Sequence, residues 1–179
     1  ASVVGADLKI SLGAPADRAV LTGNGTNYIV SGTGLRTPVV VGIGSVRGGI
    51  LVQDAAGKAG QSFVIDTPSS LGHPLLVDAG VELTTIAAGL TAAGPVSIDS
   101  PRIRLAGGIS TAAAGADVQF GGAVTLGKPV TINAGAGNVV FATTVDGPYR
   151  LAARSAGATF FGGAVGGRTP LASLATDAG

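Results

Sequence analysis

The sequence contains no cysteine and a single histidine, and these shortages exclude several kinds of site. Without cysteine there is neither a disulfide framework nor a thiolate metal site, and His73 alone cannot form a histidine cluster. We therefore expect no metal and no cofactor.

Charges and aromatic residues are also scarce. The 11 Lys and Arg residues nearly balance the 10 Asp and Glu residues, leaving a formal charge of +1, and only 4% of residues are aromatic. A charge this sparse and balanced does not provide the basic surface that nucleic-acid binding requires. The longest uncharged runs, 19–35 and 129–145, are broken by Gly, Thr and Asn, so we expect no transmembrane segment.

Glycine is abundant instead, at 31 of 179 residues, and short apolar triplets recur between the glycine-rich breaks. The steps between their first residues are 21, 21, 25, 21, 22, 21 and 20. We attribute the longest step to a short insertion at 54–60. The triplets begin at Leu8, Ile29, Ile50, Leu75, Val96, Val118, Val139 and Thr159.

The repeat that begins at Val118 shows the internal pattern of one unit. Three apolar–polar–apolar triplets, 118–120, 124–126 and 130–132, alternate with turn residues. Alternation of period two indicates strands, and Gly, Pro and Asn indicate turns. Strands this short suit stacked coils better than an irregular β-sandwich, which the composition alone would permit. We predict a right-handed parallel β-helix (a β-solenoid) of about eight coils of roughly 21 residues, with three short strands each.

Eight coils stacked at the strand spacing would give a rod of roughly 40 Å. We interpret residues 1–179 as one solenoid segment, excised from a longer repeat protein. The sequence shows no evident cap at either end, although solenoids need caps to stay soluble. We therefore expect neighbouring segments of the same polypeptide, or partner chains, to cover the ends.

Three stretches in the second half resemble the repeats of filamentous-haemagglutinin-like exoproteins and related giant bacterial adhesins. They are Gly115–Thr125, Gly137–Phe141 and Phe161–Leu174, and the resemblance covers roughly residues 94–179. It implies an extracellular or bacterial cell-surface right-handed β-helix that holds an adhesive or toxic module away from the cell. It brings no catalytic residues with it.

These observations predict a structural spacer or scaffold segment of a secreted or cell-surface adhesin-type protein that is not an enzyme. Host or cell-surface glycans or proteins, or further copies of the chain, are the partners such a segment could meet. Two alternatives stay open. One is a carbohydrate-binding or carbohydrate-cleaving β-helix, and the other is a module that assembles end to end into filaments.

The carbohydrate alternative depends on four charged residues. Asp78 and Asp99 each follow a triplet directly, so they occupy equivalent places in successive coils. Two carboxylates about 4.8 Å apart could share a proton for general acid work. Arg102 and Arg104 could hold an acidic sugar or a sulfate. The simpler interpretation is that both aspartates bond turn backbone and that Glu82 pairs with Arg104 across strands.

Three further features have simple structural interpretations. The segment Thr22–Ile29 is a partial match to the calcium-binding nonapeptide repeat, and it occurs in a single copy. Calcium in that motif needs ligands from consecutive turns, so we expect only a tight corner there. We expect His73 to lie in a surface loop. Phe120, Phe141 and Phe161 should stack inside the solenoid, whereas Phe160 should face outward.

Overall fold

The computed structural model describes residues 1–33 and 35–177, and these residues form an all-β solenoid. One short 3-10 helix, Ile43–Ser45, accompanies the strands. The strands are β1 (Ser2–Val4), β2 (Asp7–Leu12), β3 (Arg18–Gly23), β4 (Asn27–Gly32), β5 (Val39–Gly42), β6 (Ile50–Asp54), β7 (Ser62–Ile65), β8 (Ser69–Leu71), β9 (Leu75–Val77), β10 (Leu83–Ile86), β11 (Leu90–Ala92), β12 (Val96–Ile98), β13 (Arg102–Leu105), β14 (Ile109–Thr111), β15 (Val118–Phe120), β16 (Ala123–Leu126), β17 (Val130–Asn133), β18 (Val139–Phe141), β19 (Val145–Asp146), β20 (Arg150–Arg154), β21 (Thr159–Phe161) and β22 (Ser173–Thr176).

Three sheets form the walls of the solenoid, and each of the five coils from β6 to β20 contributes one strand to each sheet. Sheet A has the order β1-β2-β6-β9-β12-β15-β18-β21, sheet B β19-β16-β13-β10-β7-β3-β4-β5, and sheet C β22-β20-β17-β14-β11-β8. From β6 onward all pairings are parallel. The predicted β-solenoid is confirmed, and its right-handed winding stays a prediction.

The triplets stack as the repeat predicts. In sheet A, Leu75 pairs with Val96, Val96 with Val118, and Val118 with Val139. All four side chains are fully buried. The rings of Phe120 and Phe141, and of Phe141 and Phe161, stack with centroids 5.0 Å apart in each case, as predicted. Phe160 faces outward and is 56% exposed.

The number of coils is smaller than predicted, because one triplet lies elsewhere. Seven of the eight triplets stack in sheet A, and the six steps between them make a solenoid of about six turns, not eight. The triplet at Ile29 is part of β4, which pairs antiparallel with β3 and β5 in sheet B. Sheet A consequently passes from Leu8 directly to Ile50. Spacing alone could not exclude this, because an antiparallel strand has the same apolar alternation as a coil strand.

The expectation that neither end carries a cap is also wrong for the first coil. The cap consists of β1, which pairs antiparallel with β2, and of β4 and β5, which extend sheet B. The turn between β3 and β4 reaches sheet C through a bridge from Asn24 to Ser70. Tyr28 of the cap is fully buried against the solenoid. Antiparallel pairing thus covers the edges of β2 and β3, and leaves β1 and β5 as the outermost strands of sheets A and B at this end.

The loop after β6 accounts for the longest step of the repeat, since residues 55–60 are exposed and lie between β6 and β7. Among the described residues no helix is long and apolar enough to cross a bilayer.

Candidate functional site

Asp78 and Asp99 lie where the sequence analysis placed them, at one corner of two successive coils. Each follows its sheet A strand and is exposed. The backbone N–H of Asp78 donates to Val52 O at 2.9 Å, and that of Asp99 donates to Val77 O at 2.9 Å. The two carboxylates therefore belong to one ladder along the axis.

The side chain of Asp78 bonds its own turn. Its Oδ1 accepts a hydrogen bond from the backbone N–H of Gly80 at 2.8 Å, which is the turn role of a short acidic residue. Asp99 lies against Gly121 of the next coil, where a Cβ atom would meet Asp99 Oδ1 at 2.5 Å. A glycine at position 121 thus leaves room for the carboxylate.

A shallow depression of about 470 Å³ lies beside the two aspartates. Leu51 and Leu76, which project outward from sheet A, form part of its wall. Neither Arg102 nor Arg104 is among the described residues that line it. The structure therefore brings the two aspartates together and leaves the two arginines outside their depression.

Arg102 and Arg104 project outward from β13 in sheet B, beyond the corner. Glu82 forms an ion pair with Arg102, not with Arg104, and the predicted pair is wrong in this respect. The expected pairing of Glu82 with Arg104 would place Leu83 beside Leu105, whereas the register pairs Leu83 with Arg102. This shift turns Thr84 inward.

The inward position of Thr84 is accommodated by a second polar side chain. The Thr84 hydroxyl is fully buried, and it forms a hydrogen bond of 2.7 Å with the hydroxyl of buried Ser100. The paired hydroxyls satisfy each other in the apolar interior, so a polar residue can occupy a core position. Glu82 Oε2 also accepts from the backbone N–H of Gly60 at 2.5 Å, which ties the carboxylate to the loop after β6.

His73 lies in the turn before β9, as expected from sequence, but it is half-buried there and contacts the cap. Its Nδ1 lies 2.7 Å from the hydroxyl of buried Tyr28, and the two rings meet edge to face. Burial raises the pKa of the Tyr28 phenol, because the phenolate is poorly solvated there. The contact joins β4 to the turn before β9.

The segment Thr22–Ile29 forms the hairpin turn between β3 and β4. Asn24 Oδ1 accepts from the backbone N–H groups of Thr26 and Asn27 at 3.0 and 2.8 Å, so a tight corner is confirmed. Within 1–33 and 35–177 no group of three or more His, Asp or Glu side chains is placed to hold a metal ion.

Another depression lies on the outer face of sheet C, where the sequence patterns indicated no candidate residue. It measures about 590 Å³ and is lined by Ser70, Gly89, Thr91 and Gly108 among others. A smaller one of about 190 Å³ adjoins it at Thr131 and is flanked by Arg150 and Arg154. The alternation Arg150-Leu-Ala-Ala-Arg154 could have indicated two arginines on one face, but their neighbours follow only from the register.

Comparison with family models, with curated proteins and with solved structures finds no similar protein, so the candidate sites stand on geometry alone.

Proposed function

We propose that this chain is a rigid spacer segment of a secreted or cell-surface adhesin-type bacterial protein, without catalytic activity. The observation that carries the proposal is the unbroken parallel stack. From β6 to β21 every step in sheet A repeats the same register, over an interior of fully buried aliphatic and aromatic side chains. About six coils at the strand spacing give a stiff unit of about 29 Å.

The resemblance to filamentous-haemagglutinin-like repeats supports the extracellular setting, because such proteins use long β-helices as stalks. Immunolabelling of intact source cells with an antibody against this segment tests the location. Labelling that requires permeabilised cells would contradict it.

The end opposite the cap presents strand edges to which another strand could pair. In the described part of the chain, β21 and β22 form the outer edges of sheets A and C, and Leu174 is 45% exposed. An open edge of this kind is a template for further strand pairing. We propose that a β-strand of a further coil or of a partner chain pairs there. The antiparallel cap argues against the filament alternative, because its outermost strands β1 and β5 run antiparallel to their neighbours and do not continue the parallel coil register that a second copy would extend.

The enzyme alternative has weaker support than the spacer. Asp78 is engaged by its own turn and Arg102 by Glu82. The double substitution Asp78→Asn and Asp99→Asn tests it. If the chain is a spacer, the double variant should fold and behave as the wild type does. If it is a glycan-cleaving enzyme, the double variant should lose turnover.

Because the chain lacks cysteine, two engineered cysteines can report its rigidity. Lys9 and Phe160 share one outward ladder of sheet A, six strand spacings apart, or about 29 Å. Spin labels at Lys9→Cys and Phe160→Cys should give one narrow distance distribution in pulsed electron resonance. A broad distribution would contradict a rigid spacer.

Deleting residues 96–117 tests with the same spin labels whether one coil can be removed from the stack. The register pairs Val96 with Val118, so the deletion places Val118 over Leu75 and removes one coil. The label distance should shorten by about 4.8 Å with the distribution still narrow. Deleting residues 96–106 is the matched control: it removes half a coil, breaks the register and should unfold the following coils.

A further inference from the structure

We propose that the sheet C groove, formed by the two adjoining depressions on the outer face of sheet C, binds a linear polysaccharide that carries carboxylate or sulfate groups. The polysaccharide runs along the solenoid axis, and Arg150 and Arg154 hold one of its acidic groups. This site is separate from the Asp78 corner and adds an adhesive surface to the spacer.

The arginine pair spans the groove at one end. Arg150, Ala152 and Arg154 alternate with inward residues on β20, so all three face outward. The two arginines are four residues apart on one strand, about 13 Å, with the small Ala152 between them. Among the described residues no carboxylate lies within 4 Å of either guanidinium. Both can therefore make bidentate contacts with a carboxylate or sulfate above Ala152.

One acidic residue reaches the same depression and limits its positive charge. Asp177 lines it, and its Oδ2 accepts from the backbone N–H of Ser155 at 3.1 Å. The strand register continues from the Ala153–Thr176 pair, so Asp177 lies beside Arg154. Its charge opposes an anionic ligand, and removing that charge should strengthen binding.

A ladder of hydrogen-bonding side chains continues from Arg154 along one side of the groove. Successive coils place them in register, from the arginine end toward the cap, as Arg154, Asn133, Ser110, Thr91 and Ser70. Asn133 Oδ1 accepts from Gly135 N, which leaves its amide N–H groups free to donate outward. Hydroxyl and amide groups at each coil suit the hydroxyl groups of a sugar chain that crosses the strands.

The floor leaves room for a chain of sugar rings. Gly89 and Gly108 carry no side chain, and Thr131, Ala152 and Ala175 continue the row in register. A Cβ atom at Gly89 would meet nothing within 4 Å, so the space above it is open.

The same features disfavour other macromolecules. A peptide strand cannot pair with this face, because the backbone groups of its strands are already in the parallel ladders. Single-stranded nucleic acid is typically held by stacking aromatic side chains, and nucleic acid of either kind by many cationic ones. The described groove residues include no aromatic side chain, and the two arginines are its cations.

Isothermal titration with three matched hexasaccharides tests the proposal: neutral maltohexaose, sulfated maltohexaose and hexagalacturonate. We expect at least one acidic probe to bind about ten-fold or more tightly than maltohexaose, with binding weakened between 50 and 200 mM salt. The sulfated and uronic probes distinguish which acidic group the arginines prefer. Equal binding of all three probes would overturn the proposal.

Four variants locate the site. The double variant Arg150→Gln and Arg154→Gln should bind the acidic probe about ten-fold more weakly. Gly89→Gln, whose Cβ atom would meet nothing within 4 Å, places a side chain in the groove and should also weaken binding, whereas Asp177→Asn should strengthen binding a few-fold. Arg102→Gln with Arg104→Gln is the matched control on sheet B and should change nothing. An equal loss in this control would show diffuse charge attraction and overturn the assigned groove.

Discussion

The cap and the coils bury their apolar residues by different strand pairings, although their sequences alternate in the same way. In the coils, a strand bonds the equivalent strand one repeat later, as Val96 bonds Val118. In the cap, β4 lies between its sequence neighbours β3 and β5 and pairs antiparallel with both. Coil contacts join residues about 21 apart, whereas the cap is built from hairpins.

This difference shows how a solenoid can begin. A coil strand needs a partner on each side, so the first coil would present an open edge in every sheet. The cap covers the sheet A edge with β1 and the sheet B edge with β4. The hairpin turn at Asn24 meets sheet C at Ser70.

The largest expected effect comes from the middle of the phenylalanine stack. Phe141 is fully buried between Phe120 and Phe161, so Phe141→Ala should lower the free energy of unfolding by about 3–5 kcal/mol. Urea titration followed by circular dichroism measures the loss. Phe161→Ala is the matched control: Phe161 is partly exposed at the end of the stack and should cost clearly less. Equal losses for the two variants would contradict a larger stabilising contribution from the ring that is stacked on both sides.

The cap should be sensitive to the loss of one hydroxyl group. Tyr28→Phe removes the bond to His73 Nδ1 and should cost about 0.5–1.5 kcal/mol. In the same urea titration, a loss below 0.3 kcal/mol would contradict a role for this contact in holding the cap.

The same tyrosine predicts a response to alkali. Because burial raises the pKa of Tyr28, the folded protein holds this proton more tightly than the unfolded chain. Its contribution is complete below the ordinary pKa of about 10 and is lost as the pH rises through the raised value. Thermal melting between pH 8 and 11.5 should show a loss in the wild type that is smaller in Tyr28→Phe.

The ion pair on the coils should have a smaller effect. Glu82→Gln removes the pairing with Arg102 at an exposed site and should cost about 0.2–1 kcal/mol, less at high salt. Arg104→Gln is the control, because Glu82 pairs with Arg102 instead. A larger effect of Arg104→Gln would contradict the observed register.

The smallest effect concerns the last described loop. The backbone N–H groups of Arg168 and Thr169 donate to Asp146 Oδ1 and hold the pKa of Asp146 below its ordinary value. A lowered pKa stabilises the loop at neutral pH, and this contribution is lost as the pH falls through the lowered value. The loop contact should therefore protect the Arg168 amide from hydrogen exchange less at pH 3 than at pH 6. Asp146→Ala should remove that pH dependence after correction for intrinsic exchange.

The apolar repeat determined the coil by itself. Triplets about 21 residues apart, with glycine between them, predict stacked strands because only equivalent residues of successive coils can then share a buried row. That row is observed at Leu75, Val96 and Val118. The phenylalanine column and the pairing of Asp78 with Asp99 follow from the same period.

The tertiary structure alone decided which strands depart from the period and which surface residues meet. The triplet at Ile29 is a weak one, because its third residue is Ser31, and Tyr28 and Val30 are the residues that β4 buries. Its place in the cap depends on a hairpin that the repeat spacing does not distinguish from a coil corner.

The Glu82 partner changed with a three-residue difference in register, which spacing cannot fix where several alignments bury comparable side chains. The sheet C groove depends on that same register, because Arg154, Asn133 and Ser110 are far apart in sequence and become neighbours only when the coils stack.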